Sequence, residues 1–349
     1  METIYIKMTE DRIDTDQIRA AGRILREGGL VAFPTETVYG LGGDAFNPAS
    51  SRKIYAAKGR PSDNPLIVHI CRLEDLERVA AGVPRQALLL AEAFWPGPLT
   101  MILPKRPELP LETTGGLDTV AIRFPSHKIA QALIEAGGGF IAAPSANRSG
   151  RPSPTLARYC REDLDGRVDM IIDGGQVGLG LESTIVDLTG DRPVILRPGF
   201  VTWEKLEEVL GDVDAGSLLP GPEPDGAPKA PGMKYRHYAP QGNLTVVEGA
   251  PDRVAAYINE RIHAHRQAGI RTGVICTDET CASYEADLIK STGARGDEEG
   301  AARELFRILR EFDDEEAREI YAESFDRSGV GRALMNRLLK AAGGRVVRV

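Results

Sequence analysis

The segment VAFPTETVYGLG, residues 31–42, contains an apolar run, a proline and two glycines, and it indicates how the chain folds around it. It begins as an apolar strand, which Pro34 ends because proline has no N–H group to donate to a sheet. Thr35 and Glu36 follow directly, so we expect their hydroxyl and carboxylate at the mouth of a buried strand. Two glycines close the segment and allow the backbone to pack closely behind these side chains.

Helix and strand patterns alternate on both sides of this segment. Asn47 and Pro48 are a helix start, because asparagine caps the first turn and proline fits the first helical position. Further helices are predicted at residues 14–29, 84–94, 127–136 and 202–210, and strands at 65–70, 99–103, 119–124, 139–144, 183–188 and 193–199. Some strands are separated by helices and others by hairpin-length gaps, which predicts an α/β domain with a mixed sheet.

The composition changes at residues 214–232, which are dense in proline and glycine and have no apolar period. Such a stretch is typical of an extended linker. Strand patterns at 243–249 and 271–277 and helical patterns at 251–268, 298–323 and 328–342 follow it. We therefore predict a first domain over 1–212, a linker over 213–240 and a smaller α/β domain over 241–349.

Charge limits the partners of the chain. Lys and Arg total 43 against 51 Asp and Glu, a net charge of −8. An acidic chain binds nucleic acid poorly without sequence-specific contacts, so any anionic ligand must meet a local cluster of cations. No apolar run reaches membrane-spanning length, and the first residues lack the basic start and apolar stretch of a secretory signal. A cytoplasmic location is the expectation.

The four cysteines, at positions 71, 160, 276 and 281, include no C-x-x-C pair. Their spacing argues against a zinc site or a disulfide framework. We expect each to be a small buried side chain.

Local cations are placed at the ends of predicted elements. Lys58 ends a helix, where the helix dipole alone favours a cation, so a structural role is the simpler interpretation of this residue. Arg60 and Asn64 lie on a stiff loop between two prolines, which suits anion binding. Arg123 interrupts an apolar strand and needs a partner, either an internal ion pair, an outward edge position or a ligand carboxylate.

Hydroxyl-rich segments follow other strands. The segment AAPSANRSGRPSPT, residues 142–155, can form an anion-binding nest or a plain polar turn. Residues 182–187 and 195–199 also place hydroxyls or a cation at the end of an apolar strand. His69 lies inside one, where a core imidazole bonded to the backbone is the simpler alternative.

The chain contains neither a Walker loop nor a G-x-G-x-x-G turn behind a strand, and no nucleophile elbow. Cations and hydroxyls without a nucleophile or a metal cage suit phosphate-group chemistry, which depends on positioning and charge neutralisation.

Four segments together, PTETVYGLG, KGRPSDNPL, PSANRSGRPSPT and STIVD…ILRPG, resemble the YrdC-like family in order and spacing. The segment PGMKYRHYAP, residues 231–240, and the small second domain resemble the long, two-domain threonylcarbamoyl-AMP synthases of that family. The resemblance implies an open mixed-sheet N-terminal domain and a Rossmann-like C-terminal domain. It implies a reaction of L-threonine, bicarbonate or CO2 and ATP that yields threonylcarbamoyl-AMP and pyrophosphate.

The resemblance also implies the site residues. The K-x-R element, Lys58 and Arg60, and the S-x-N element, Ser145 and Asn147, would contact the ATP phosphates and the charge of the transition state. Further ATP contacts would be Asn64, Thr119, Ser153 and Arg197, with Arg236 closing over the nucleotide as a lid. The positions around threonine would be Thr35, His69, Arg123, Ala143 and Ser183, with Arg123 on the carboxylate.

Partners follow from the same resemblance. Mg²⁺ would arrive with ATP, because it keeps its waters and prefers phosphate oxygens. Other proteins would pass the threonylcarbamoyl group to adenosine 37 of tRNA, and this chain would bind tRNA at most weakly. No membrane partner is expected.

Two alternatives compete with this interpretation. A carbamoyltransferase module of the hydrogenase-maturation type would also carry acylphosphatase and zinc-finger segments, and the absence of C-x-x-C counts against it. A non-enzymatic RNA-binding module would rely on a basic surface, against which the net charge of −8 argues.

Overall fold

The computed structural model describes residues 2–216, 228–231 and 237–349. It divides into two compact units, an N-terminal unit of Met1–Ser149 with Ser153–Tyr235 and a C-terminal unit of Gly150–Pro152 with Arg236–Val349. No helix in the described ranges is both long enough and apolar enough to cross a membrane.

The N-terminal unit is built on one large sheet. Its strands are β1 (Ile4–Lys7), β2 (Val31–Phe33), β3 (Gly40–Asp44), β4 (Ile67–His69), β5 (Leu99–Pro104), β6 (Thr119–Arg123), β7 (Ile141–Ala143), β8 (Met170–Asp173), β9 (Thr184–Asp187) and β10 (Val194–Arg197). Its helices are α1 (Thr15–Arg26), α2 (Pro48–Lys58), α3 (Leu76–Val79), α4 (Arg85–Phe94), α5 (Leu111–Thr114), α6 (Lys128–Ala136), α7 (Ala157–Leu164) and α8 (Trp203–Leu210).

The order across this sheet is β1-β8-β2-β3-β7-β4-β6-β5-β9-β10. The sheet contains both parallel pairs, such as β4 with β6 and β5 with β9, and antiparallel pairs, such as β5 with β6. The predicted α/β fold with a mixed sheet is therefore confirmed. Strands β1, β3 and β8 were not predicted from the sequence.

Helix α2 is bounded at both ends by residues suited to a helix start and a helix end. The side chain of Asn47 caps the helix by accepting from the Ala49 N–H group, and Pro48 occupies its first turn. Gly59 ends the helix with a φ of 63°, a left-handed conformation that glycine adopts without steric cost. The predicted start and end of this helix are both confirmed, and they fix Lys58 at its last turn.

The glycines of the opening segment allow strand β3 to lie tightly against its neighbours. A Cβ atom added to Gly42 would lie 2.8 Å from a side-chain carbon of Ile141 and 3.0 Å from the ring of Phe33. The close packing expected behind Thr35 is present, and a larger residue at position 42 would push these strands apart.

The C-terminal unit contains a separate five-stranded sheet in the described ranges. Its strands are β11 (Asn243–Glu248), β12 (Thr272–Cys276), β13 (Leu288–Ser291), β14 (Glu319–Glu323) and β15 (Val346–Arg348), and its helices are α9 (Pro251–Gln267), α10 (Glu298–Asp314) and α11 (Gly329–Ala341). The order is β13-β12-β14-β11-β15, with every pair parallel. This is the expected Rossmann-like architecture.

The prediction of one helical stretch over residues 298–323 is wrong at its end. Helix α10 stops at Asp314, and residues 319–323 form β14, the central strand of the sheet. The sequence EIYAE contains good helix formers, but Ile320 and Ala322 are fully buried between neighbouring strands. Burial in the sheet therefore overrides local helix propensity here.

The described part of the predicted linker is packed. Ala230 is fully buried against Ile67, Ile102, Ala121 and Ile185 in the N-terminal unit. This contact fixes the chain immediately after residues 217–227, which lie outside the described ranges.

Candidate active site

Strand register brings several of the predicted site residues onto one face of the N-terminal sheet. His69 of β4 pairs with Arg123 of β6, and Arg123 in turn pairs with Thr100 of β5. Residues in register point to the same side of a sheet, and so do residues two or four positions along a strand. Thr119 of β6 and Ala143 of β7 therefore share this face with His69 and Arg123.

Arg123 has an internal ion-pair partner, which was one of the alternatives left open by the sequence. Its Nη2 atom lies 2.6 Å from Oε1 of Glu36, in the loop after β2. The side chains are 5% and 13% exposed, respectively. The opening segment is thus joined to the middle of the sheet by a buried pair of charges.

Lys58, in the segment KGRPSDNPL, contacts the segment PSANRSGRPSPT. Its Nζ atom donates hydrogen bonds to the backbone carbonyl oxygens of Ser145 and Asn147. The Ser145 hydroxyl donates to Oδ1 of Asn147 at 2.5 Å, and the N–H group of Ser149 donates to the Lys58 carbonyl at 2.9 Å. The K-x-R and S-x-N elements are therefore in direct contact, with the ammonium group among backbone oxygens.

Arg60 folds back on its own loop. Its Nε atom donates to the carbonyl of Asn64 at 3.1 Å and its Nη2 atom to that of Pro65 at 3.0 Å. Asn64 is buried, and its Oδ1 atom has no hydrogen-bond partner among the described residues. A buried amide oxygen without a partner costs free energy unless a ligand or water satisfies it, which marks this position as a candidate contact.

A third group of contacts lies near the edge of the sheet, between Arg197 at the end of β10 and Ser183 just before β9. Arg197 donates from Nη2 to the Ser183 hydroxyl at 3.1 Å and from Nε to the Ser183 carbonyl at 3.0 Å. The same hydroxyl lies 2.7 Å from that of Thr100, which is in register with Arg123. The ATP and threonine positions implied by the family therefore meet through Ser183.

Ser153 is tied to the same region. Its hydroxyl donates to Oε1 of Glu182 at 2.5 Å, immediately before Ser183 in the chain. The next residue, Pro154, accepts a hydrogen bond from the Tyr39 N–H group at 2.9 Å. Pro154 is thereby held against the opening segment.

The hydroxyl of Thr35 is used within its own loop. It donates to the Val38 carbonyl at 2.7 Å and accepts from the Thr37 N–H group at 3.2 Å. This local turn holds the loop in shape. A contact of Thr35 with a substrate hydroxyl would use its remaining acceptor capacity or exchange one of these bonds.

His69 is a buried, neutral imidazole. Burial first, and the nearby charge of Arg123 second, lower its pKa to about 3. Its Nδ1 atom donates to the Ile67 carbonyl at 3.0 Å, which is the backbone-bonded arrangement that the sequence left as an alternative. The ring also packs edge-on against Phe33 at the end of β2.

Sequence reasoning did not identify three residues of this site. Glu36 was noted without a role, and Thr100 and Glu182 were not singled out. Strand alternation could have placed Thr100 beside Arg123 only if the β5–β6 register had been known. Arg236, the predicted lid residue, lies outside the described residues. The described part of the chain brings no three His, Cys, Asp or Glu side chains together as a metal site.

Two family models match the chain. One, described as "Telomere recombination" and covering Sua5, YciO and YrdC proteins, matches residues 23–199. The other, described as "Threonylcarbamoyl-AMP synthase, C-terminal domain", matches residues 201–343. The first match ends and the second begins just after β10.

Similar proteins extend over the whole chain. A Bacillus subtilis protein named threonylcarbamoyl-AMP synthase is 49% identical over 99% of this chain and 98% of its own length. One of the same name from Pyrococcus abyssi is 49% identical over 99% of this chain and all of its own. The crystal structure of P. abyssi Sua5 complexed with L-threonine matches with a TM-score of 0.93 and 46% identity over the full length of both chains.

Proposed function

This chain belongs to the family of two-domain threonylcarbamoyl-AMP synthases, and from this premise we propose that it acts as a nucleotidyltransferase on L-threonine, bicarbonate or CO2, and ATP. Its function is the synthesis of threonylcarbamoyl-AMP. The observation that carries the residue assignments is a set of direct contacts within and between the four segments that resemble the family. Lys58 bonds to Ser145 and Asn147, Tyr39 to Pro154, and Arg197 to Ser183.

The reaction needs two steps of bond formation. The amine of threonine adds to CO2 and loses a proton, or reacts with bicarbonate and releases water, to give a carbamate. A carbamate oxygen then attacks the α-phosphorus while pyrophosphate leaves. The site must neutralise the phosphates and carboxylates and must exclude water, because both the carbamate and the mixed anhydride are labile. Fixed cations at buried positions meet both needs.

We assign Lys58, Arg60, Ser145 and Asn147 to the ATP phosphates and the transition-state charge. Lys58 is only 2% exposed, and its hydrogen bonds to the backbone carbonyls of Ser145 and Asn147 hold the ammonium group at a fixed position. A positioned cation of this kind stabilises the negative charge that builds up as pyrophosphate leaves.

Four more positions complete the proposed nucleotide site: Asn64, Thr119, Ser153 and Arg197. The partnerless oxygen of Asn64 and the buried guanidinium of Arg197 support this assignment. Arg236 is proposed as the lid residue within the linker at 213–240. Catalysis is assigned to the domain over 1–212, and the domain over 241–349 is proposed to support it.

We place threonine beside Thr35, His69, Arg123, Ala143 and Ser183. The guanidinium of Arg123 suits a carboxylate, which it can hold with two parallel hydrogen bonds. The hydroxyls of Thr35 and Ser183 suit the substrate hydroxyl, because a site built to bond a hydroxyl rejects valine more strongly than apolar packing can.

Mg²⁺ is proposed to enter with ATP, since it keeps several waters and binds phosphate oxygens rather than an all-protein cage. We also propose that the product passes to other proteins that modify adenosine 37 of tRNA. With a net charge of −8, this chain is expected to bind tRNA at most weakly.

Incorporation of radiolabelled bicarbonate tests the proposal directly. The full-length protein is incubated with ATP, Mg²⁺ and each amino acid in turn, and acid-labile labelled nucleotide is separated and counted. Label that appears with L-threonine and is at least tenfold lower with serine or valine, a difference of about 1.4 kcal/mol in transition-state binding, supports the function. Equal label with several amino acids, or label without ATP, would refute it.

A further inference from the structure

The Glu36–Arg123 pair is incompletely satisfied as a structural salt bridge. Both carboxylate oxygens of Glu36, and Nε and Nη2 of Arg123, are buried and have no hydrogen-bond partner among the described residues, although the charges lie 2.6 Å apart. A buried ion pair stabilises a fold only when further hydrogen bonds satisfy its remaining donors and acceptors. This pair therefore has donors and acceptors left over for a ligand.

The neighbourhood of the pair has the same character. His127, at the start of α6, is largely buried, and its Nδ1 atom has no hydrogen-bond partner in the described chain. The charges of Glu10 and Glu36 both act on this ring, and Oε1 of Glu10 lies 3.6 Å from Nδ1. Arg123 acts similarly on His69. The face thus offers one buried cation and one buried anion beside neutral polar groups.

A zwitterion is the ligand that fits one buried cation next to one buried anion. Its carboxylate can take the guanidinium of Arg123, and its ammonium group, with three N–H donors, can take the carboxylate of Glu36. Every charge then keeps an opposite partner, and the buried site remains neutral overall. The two charges of the pair act as substitutes for the two charges of the amino acid until it binds.

We propose that Glu36 binds the α-ammonium group of the amino-acid substrate, and that threonine enters by dividing the Glu36–Arg123 pair between its own two charges. This inference rests on the proposed function, which supplies threonine as the substrate. It assigns the carboxylate of the opening segment to binding the nucleophilic amine.

The test uses two ligands that differ only in the amine. (R)-3-Hydroxybutyrate retains the carboxylate, hydroxyl and methyl groups of L-threonine and lacks the ammonium group. Affinities of the full-length wild type and of Glu36→Gln for both ligands are measured by calorimetry at fixed pH and ionic strength. Neither measurement requires turnover, so failure of this inference is distinguishable from failure of the proposed reaction.

The two ligands should respond in opposite directions. Glu36→Gln should weaken threonine binding by at least about tenfold, because a charge-assisted hydrogen bond is lost. Glu36→Gln should leave the affinity for (R)-3-hydroxybutyrate unchanged or increase it, because that ligand no longer competes with a Glu36 carboxylate for Arg123. A similar loss for both ligands, or no loss for threonine, overturns the proposal.

Glu10→Gln is the matched control, because it removes a second carboxylate that faces His127 but is not paired with Arg123. It should change neither affinity by more than about twofold, a difference within the range of a surface charge. If Glu36→Gln does not fold, Glu36→Asp replaces it, keeping the charge one methylene further back. A loss confined to threonine supports the proposal there too, and an equal loss for both ligands contradicts it.

Discussion

Two lysines, one in each unit, are held by different kinds of oxygen atom. In the N-terminal unit, Lys58 donates to the carbonyls of Ser145 and Asn147. In the C-terminal unit, Lys290 lies 3.2 Å from the carboxylate of Glu311 and 2.7 Å from that of Glu315. A carbonyl holds a cation in place through hydrogen bonds, whereas a carboxylate also supplies a countercharge. Lys58 thus ties the end of helix α2 to the segment after β7, and Lys290 takes part in two ion pairs with helix α10 and the residue that follows it.

The pKa of Lys290 agrees with this contrast. Partial burial opposes its charged form, but the hydrogen bonds and charges of Glu315 and Glu311 together raise the pKa above its ordinary value. The charge of this lysine is used to hold strand β13 against helix α10. In the N-terminal unit, Arg123 also has a charged partner, Glu36, but both carboxylate oxygens of Glu36 lack a hydrogen-bond partner among the described residues.

The largest effect is expected from removing one charge of the buried pair. Arg123→Gln should destabilise the N-terminal unit by about 3–5 kcal/mol, because it leaves the Glu36 carboxylate buried without a countercharge. Arg295→Gln is the matched change in the C-terminal unit, where Arg295 is 45% exposed and Glu323 keeps its hydrogen bond from Tyr284. It should cost less than Arg123→Gln, because water can replace the half-exposed guanidinium of Arg295 and Tyr284 still donates to the Glu323 carboxylate.

Urea unfolding followed by far-UV circular dichroism measures both variants. The fluorescence of the two tryptophans, Trp95 and Trp203, assigns a transition to the N-terminal unit, because both lie in it. The double variant Glu36→Gln/Arg123→Gln should recover most of the loss. Equal costs for Arg123→Gln and Arg295→Gln would mean that water reaches both pairs and that the contrast between the units does not hold.

The second effect is catalytic. Lys58→Ala should slow pyrophosphate release by at least about a hundredfold, as expected when one charge-stabilising donor is removed. Lys290→Ala, the matched change in the C-terminal unit, should leave the rate within about twofold, because Lys290 is held by two carboxylates of its own unit and is not among the proposed site residues. Near-normal turnover of the Lys58 variant would mean that Lys58 has only the structural role expected of a cation at the end of a helix.

The sequence predicted the parts of this contrast that depend on local chemistry. The cap at Asn47, the stop at Gly59 and the resulting place of Lys58 follow from neighbouring residues, and the structure confirms them. The Glu36–Arg123 contact could not be predicted in the same way, because it joins residues 87 positions apart through strand register. Strand β14 was missed because its burial, which decides its structure, is a property of the assembled sheet.

Strand β3 was missed for a related reason. Its sequence GLGGD has little strand propensity, and its glycines are present because Phe33 and Ile141 leave no space for a side chain at Gly42. The roles of the site residues depend equally on contacts between distant segments. Local pattern indicated which residue types would be used, and only the three-dimensional arrangement shows which of them meet.

The smallest effect concerns acid stability. In the folded N-terminal unit His69 has a pKa lowered to about 3, mainly by burial, so between about pH 6.5 and pH 3 the unfolded chain binds a proton that the folded chain does not. Stability contributed by the neutral ring is therefore lost as the pH falls below about 6.5. From pH 7 to pH 5, wild type should lose about 2 kcal/mol more than His69→Gln, which has no proton to bind.

Unfolding in urea at the two pH values, followed by tryptophan fluorescence without ligand, gives this difference directly. His263→Gln in the C-terminal unit is the control, because it removes an exposed histidine from the unit that contains neither tryptophan. That variant should show the pH dependence of wild type. If His69→Gln has the same pH dependence as wild type, the His69 imidazole gains a proton in the folded state. The face of the sheet that carries Arg123 would then admit too much water to protect a carbamate.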